Sequence, residues 1–130
     1  MILAVDFGLK NIGLALADGP LAEPLTQFKY HTLNQALKKI AFFCAQNQVK
    51  KIVVGLPQGP LHSRVQTFGR QLSRLLELPV VFQDETLTSQ TAARLLRHKT
   101  LKKKKKLSHA AAAALILQSY LDGQPSHLLK

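Results

Sequence analysis

"MILAVDFGLKNIGLALAD", residues 1–18, holds two apolar runs separated by a short glycine-bearing turn. "MILAVD" is almost continuously apolar and closes on an acid, and "IGLALAD" repeats that pattern after the turn, so the segment reads as a β-hairpin. A hairpin at this point commits the fold to a sheet, and the downstream pattern says what surrounds it. "PLTQFKYHTL" (24–33) alternates loosely and carries Phe28 and Tyr30, which places a third strand near residues 25–31. In "LNQALKKIAFFCAQ" (33–46), Leu33, Leu37, Ile40, Ala41 and Cys44 recur at spacings of four and three, as on one face of a helix.

"KIVVGLP" (51–57) is β-branched and apolar on both alternations, as suits a strand buried on both faces, and the prolines and glycines of "GLPQGP" stop it. A second helix is expected from about 62 to 77, with Val65, Phe68, Leu72 and Leu75 inward and Arg64, Arg70 and Arg74 outward. "LPVVFQDE" (78–85) is a fifth strand. "TLTSQTAARLLRHK" (86–99) opens with hydroxyl residues able to cap a helix, and a last helix begins near Ser108. The order is three strands, a helix, then strand, helix, strand and two helices, with no repeat and no linker that divides the chain. That order predicts one α/β domain over residues 1–130, a five-stranded mixed sheet flanked by helices.

The 130 residues suit one compact domain. Hydrophobic residues make up 46% and charged ones 19%, which supports a packed core rather than a disordered chain. Eighteen Lys and Arg against seven Asp and Glu give a formal charge of +11, which favours polyanionic partners. An anionic membrane is the poorer fit: no apolar run of about 20 residues and no long basic amphipathic helix is present. The first apolar run is too short for a signal peptide, so a cytoplasmic protein is expected. The lone cysteine, Cys44, lies in a helical apolar register and reads as core; it supports neither a disulfide framework nor a cysteine-based zinc site.

The acids are few, and they collect at strand ends. Asp6 closes the first strand, and Asp84 with Glu85 closes the fifth. Such ends are where ligands bind in α/β sheets, although an acid there also serves as a cap for the next element. "VDFGLKNIGLALAD" (5–18), "VVGLP" (53–57), "LPVVFQDETLTSQTA" (78–92) and "AAAALILQSYLDG" (111–123), in this order and spacing, resemble the YqgF family, also called RuvX, of RNase H-like nucleases related to Holliday-junction resolvases.

The resemblance implies an RNase H-like fold and metal-dependent cleavage of nucleic acid, chiefly in maturation of the 5′ end of pre-16S ribosomal RNA. Such sites use carboxylates to hold divalent ions that activate water and stabilise the leaving oxygen. The implied ligands are Asp6 and Glu85, with Mg²⁺ or Mn²⁺ as the cofactor. His109 occupies the place where the family pattern carries its third acid. An imidazole there removes one negative charge and moves preference from Mg²⁺ toward Mn²⁺, and a helix N-terminus behind five lysines favours its neutral form. The plainer reading of His109 is a helix cap or surface residue.

Lys10, at the family's motif position, neutralises a phosphate or is a solvated turn lysine, and Gly8 and Gly13 let the hairpin backbone approach that phosphate closely. Thr88 caps the following helix or touches substrate, and Asp84 orients a neighbour rather than binding metal. Asn11 and Thr86 stand where the family pattern carries Arg, and the loop after "GLP" lacks the family's Asp-Gly segment. "RHKTLKKKKK" (97–106) is acid-free, and its Lys102, Lys103, Lys104, Lys105 and Lys106 precede His109 directly. The run is a solvated block or a backbone clamp whose grip falls steeply with salt. Few aromatics read as exposed for base stacking.

Three functions are therefore weighed. The first is a metal-dependent nuclease acting on RNA or, as a resolvase, on branched DNA. The second is a binding relative whose third ligand has decayed. The third is an actin-like or sugar-kinase ATPase, which needs two related domains that 130 residues do not supply. Oligomeric state stays open, although a resolvase needs a symmetric dimer.

Overall fold

The computed structural model describes residues 1–84 and 108–123. Among these the elements are β1 (Ile2–Phe7), β2 (Asn11–Ala17), β3 (Ala22–Lys29), α1 (Leu33–Gln46), β4 (Lys51–Leu56), α2 (His62–Leu76), β5 (Val80–Asp84) and α3 (His109–Asp122). The strands form one sheet in the order β3-β2-β1-β4-β5. β1, β2 and β3 pair antiparallel, while β1–β4 and β4–β5 pair parallel, so the sheet is mixed as expected. The parallel pairing puts the C-terminal ends of β1, β4 and β5 along one edge, because each return to the sheet is made through a helix rather than a tight turn.

Strand alternation divides the core in two. Leu3, Val5 and Phe7 face α1 and α2 with Ile52, Val54, Ile40 and Phe68, all buried. Ala4, Ala15, Ala17 and Val53 face the other way, against Ala113, Ile116 and Leu117 of α3. The second layer is built from small residues, which lets α3 settle close to the sheet. β4 is buried on both faces, which is why it reads as an uninterrupted apolar run.

Local signals set the element boundaries. Thr32 and Gln35 form a capping box at the start of α1: the Gln35 amide donates to Thr32 Oγ1 at 3.2 Å and the Thr32 amide to Gln35 Oε1 at 3.4 Å. Glu77 closes α2 in the left-handed region at φ 55°, its amide donating to the Ser73 carbonyl at 2.8 Å. Within α2, Gly69 lies against the Phe82 ring, where an added Cβ would come within 2.5 Å of it.

Several expectations shift. β3 spans Ala22–Lys29, earlier than residues 25–31: it pairs with β2 from its first residue, skips Leu25 in the register, and tolerates Pro24 because it is an edge strand. The buried stripe of α1 is Ala36, Ile40 and Cys44, and Leu33 is exposed, because a first-turn side chain projects beyond the sheet it would cover. Leu75 is exposed because it lies off the face of α2 that carries Val65, Phe68, Leu72 and Leu76 against the core. Phe42 lies on the outer side of α1 and is 55% exposed, so an aromatic available for stacking is present after all. Arg64, Arg70 and Arg74 are exposed as expected. The helix expected over 86–99 lies outside the described residues. Among the described residues, no helix is long and apolar enough to cross a membrane.

Candidate active site

Asp6 is the penultimate residue of β1, and alternation puts it on the α3 side of the sheet with Ala4. Its partner across the hairpin is Gly13 of β2. Gly13 has no side chain, and the backbone of His109 occupies the space a Cβ would fill: the added atom would overlap the His109 carbonyl and lie 2.8 Å from the Ala110 nitrogen. The first turn of α3 is thereby held beside Asp6. His109 Nδ1 lies 3.7 Å from Asp6 Oδ2, with side-chain exposures of 43% and 18%.

The helix start is held by two further contacts, each using an amide with no partner inside the helix. The Ala111 amide donates to Ser108 Oγ at 3.0 Å, an N-cap, and the Ala110 amide donates to Gln27 Oε1 of β3 at 3.0 Å. Farther along, Gln118 Oε1 accepts from the Ala22 amide at 2.9 Å, and its Nε2 donates to the Pro20 carbonyl at 2.9 Å. α3 is thus tied to β3 and its preceding turn along its length, which fixes where the backbone of His109 sits beside Asp6.

Lys10 lies exposed in the β1–β2 turn, its carbonyl accepting from the Tyr30 amide at 3.1 Å. The same turn is pinned by the Gly8 amide on the Asn11 carbonyl at 2.9 Å and by the Tyr30 hydroxyl, which donates to the Gly8 carbonyl at 2.5 Å. Burial pushes the Tyr30 phenol above its usual pKa, and nearby Arg64 draws it back in part. One expectation is overturned: Gly13 does not open the hairpin to a phosphate, because the start of α3 covers it.

Asp84 is the exposed last residue of β5 and alternates with Val80 and Phe82, on the α1 and α2 side of the sheet and away from the face of Asp6. Glu85, Thr86, Thr88, Arg97, Lys99 and Lys102–Lys106 lie outside the described residues. Among the described residues, no group of three or more His, Cys, Asp or Glu side chains is arranged to hold a metal ion. Sequence reasoning missed Gln27 and the Gly13–His109 contact. A glycine in mid-strand is the one signal that points to the latter, since it marks a close approach by another backbone.

The model of the family described as RuvX, Holliday junction resolvase, matches residues 1–123. The chain belongs to the RuvX family. Among RuvX relatives, a protein of Chloroflexus aurantiacus named "Putative pre-16S rRNA nuclease" is 39% identical, over 98% of this chain and 90% of its own length. A protein of the same name from Caldanaerobacter subterraneus is 37% identical, over 95% of this chain and 96% of its own. Among solved structures, Thermus thermophilus RuvC in complex with a Holliday junction substrate superposes with a TM-score of 0.64 at 14% identity, covering 92% of both chains. That likeness establishes the RNase H-like fold for this RuvX chain.

Proposed function

We propose that this protein is a divalent-metal-dependent endonuclease that cleaves phosphodiester bonds in the 5′-end maturation of pre-16S ribosomal RNA, in the cytoplasm. The observation that carries the reading is the juxtaposition of Asp6 and His109 at the C-terminal end of β1. It occurs in a chain whose relatives bear the name of that nuclease. A carboxylate oxygen and an imidazole nitrogen facing one another suit a divalent ion that takes its remaining ligands from water and phosphate oxygens. Asp6, His109 and Glu85 would hold it, and when bound it supplies Lewis-acid activation of water and charge stabilisation at the leaving oxygen.

The chain's own groups prepare that site. Asp6 is set by the β1 ladder, and His109 by Ser108, Gln27 and the bare backbone of Gly13. Lys10, Thr88 and Lys102–Lys106 are assigned to phosphate contacts, in keeping with a net charge of +11. An imidazole in place of an acid favours Mn²⁺ over Mg²⁺.

The test is cleavage of a labelled 16S-precursor RNA and of a four-way DNA junction with Mg²⁺, Mn²⁺ or chelator. Metal-dependent cutting of the RNA that is lost in Asp6→Asn, with RNA binding retained, is expected. Undiminished cutting by Asp6→Asn would overturn the assignment, and cutting confined to the junction would replace RNA processing with junction resolution. Salt-sensitive binding without cutting under any metal would leave a binding protein.

A further inference from the structure

α1 buries Ala36, Ile40 and Cys44, so Phe42 points away from the core and stays exposed despite its size. Beside it the edge strand β3 supplies Phe28, whose ring lies under Lys39 with Nζ 5.2 Å from the centroid, and Tyr30 follows that strand. These three aromatics, with Lys29, Lys38 and Lys39, line a groove of about 510 Å³. None of the described residues lining it is an acid. Phe42 is braced edge-on by Phe43 at 5.3 Å between ring centroids, which holds its plane while leaving the ring accessible. Rings interleaved with cations are the combination that binds unpaired nucleic-acid strands, with bases stacked on the rings and phosphates on the cations.

Tyr30 also lines a neighbouring groove of about 530 Å³ with Phe7, Leu9 and Arg64, and its hydroxyl and amide bond the Gly8 and Lys10 carbonyls of the turn just after Asp6. Phe28 lies on the α1 side of the edge strand, whereas Asp6 lies on the α3 side. A strand that occupied both would pass the turn that holds Lys10 and round the β3 edge of the sheet.

We propose that the groove between β3 and α1 is a second nucleic-acid site that holds an unpaired stretch of the substrate RNA, a base stacking on Phe42 and the backbone lying along Lys29, Lys38 and Lys39. That the strand is RNA rests on the nuclease reading. The affinity for unpaired strands rests on the groove alone.

The experiment is fluorescence anisotropy of the full chain with labelled single-stranded RNA, single-stranded DNA of the same sequence and duplex RNA, in chelator so that cleavage plays no part. Phe42→Ala is expected to weaken single-stranded RNA by roughly 5-fold to 100-fold while leaving duplex affinity unchanged. Lys38→Ala with Lys39→Ala is expected to lower the slope of log affinity against log salt by about 1.4. Because Phe42 is exposed, the variant keeps its fold, which its thermal midpoint checks. Unchanged single-strand affinity, or an equal loss on duplex, overturns the site. A Phe42 effect confined to DNA overturns the RNA assignment, and a change in sedimentation without a change in strand affinity makes the patch a contact between copies. A Phe42-dependent loss of single-stranded RNA in a protein that cuts nothing upholds the groove and removes the nuclease reading.

Discussion

Gly13→Ala is the substitution that tests most directly how the site is assembled. The new methyl group would lie 2.8 Å from the Ala110 nitrogen and nearer still to the His109 carbonyl, against an ordinary contact of 3.4–4 Å. Both obstacles are backbone, so no side-chain rotation relieves them, and either the helix start or the hairpin must move. Gly13 is locked in register with Asp6 on one side and Gln27 on the other, which leaves the start of α3 to yield. The overpacking is expected to cost about 1–3 kcal/mol. For a domain of this size that is a fall in Tm of about 4–12 °C, at roughly 4 °C per kcal/mol.

Activity is expected to fall further than stability. On the proposed assignment of His109, a displacement of about 1 Å that carries it away from Asp6 costs on the order of 100-fold. Gly69→Ala provides the contrast: its Cβ would press the Phe82 ring on the far side of the sheet, so stability should drop while cleavage per folded molecule holds. Melting by circular dichroism and cleavage of the precursor RNA well below both midpoints separate the two effects. A Gly13→Ala protein with the parent's Tm and rate would refute the claim that this glycine seats the helix.

Further expectations follow from particular residues. If His109 helps to hold the metal, His109→Asp should raise the ratio of Mg²⁺-supported to Mn²⁺-supported cleavage; an unchanged ratio in metal titrations would remove it from the ligand set. Thr32→Ala should cost about 0.5–2 kcal/mol in urea unfolding, because the Gln35 amide loses its acceptor; no loss would mean that water replaces the cap. The Cys44 thiol is pushed up to about 11 by burial, so the folded state keeps its proton where the unfolded chain loses it. Stability should therefore be unaffected by this group below pH 9 and decline as pH rises from about 9 to 11, measured by urea unfolding against a Cys44→Ala reference. Iodoacetamide should label Cys44 at pH 8.5 only as the protein unfolds.

Much of this fold was legible in the chain because the relevant forces are local or periodic. β-branched and apolar runs marked β1, β2, β4 and β5, Ser108 marked the start of α3, and its place at a strand end singled out Asp6 as a candidate. The ends of the packed face were less legible. Leu33 has the right spacing for core, yet whether a terminal turn is covered depends on how far the neighbouring layer extends, and Leu75 falls beside the buried face of α2 while Leu76 packs on it. The expectation of few exposed aromatics failed at Phe42, which falls outside the buried stripe of α1.

By itself the sequence determined the α/β class, the strand inventory and the basic character, and it nominated Asp6 and His109 as candidate site residues. Only the tertiary structure decided that they meet. They lie 103 positions apart in the chain, and their approach depends on a long-range backbone contact over Gly13, on Gln27 receiving the Ala110 amide, and on alternation that turns Asp6 to the α3 side of the sheet. Such contacts join distant segments through the absence of a side chain or the reach of one amide. Periodicity and composition carry no record of either.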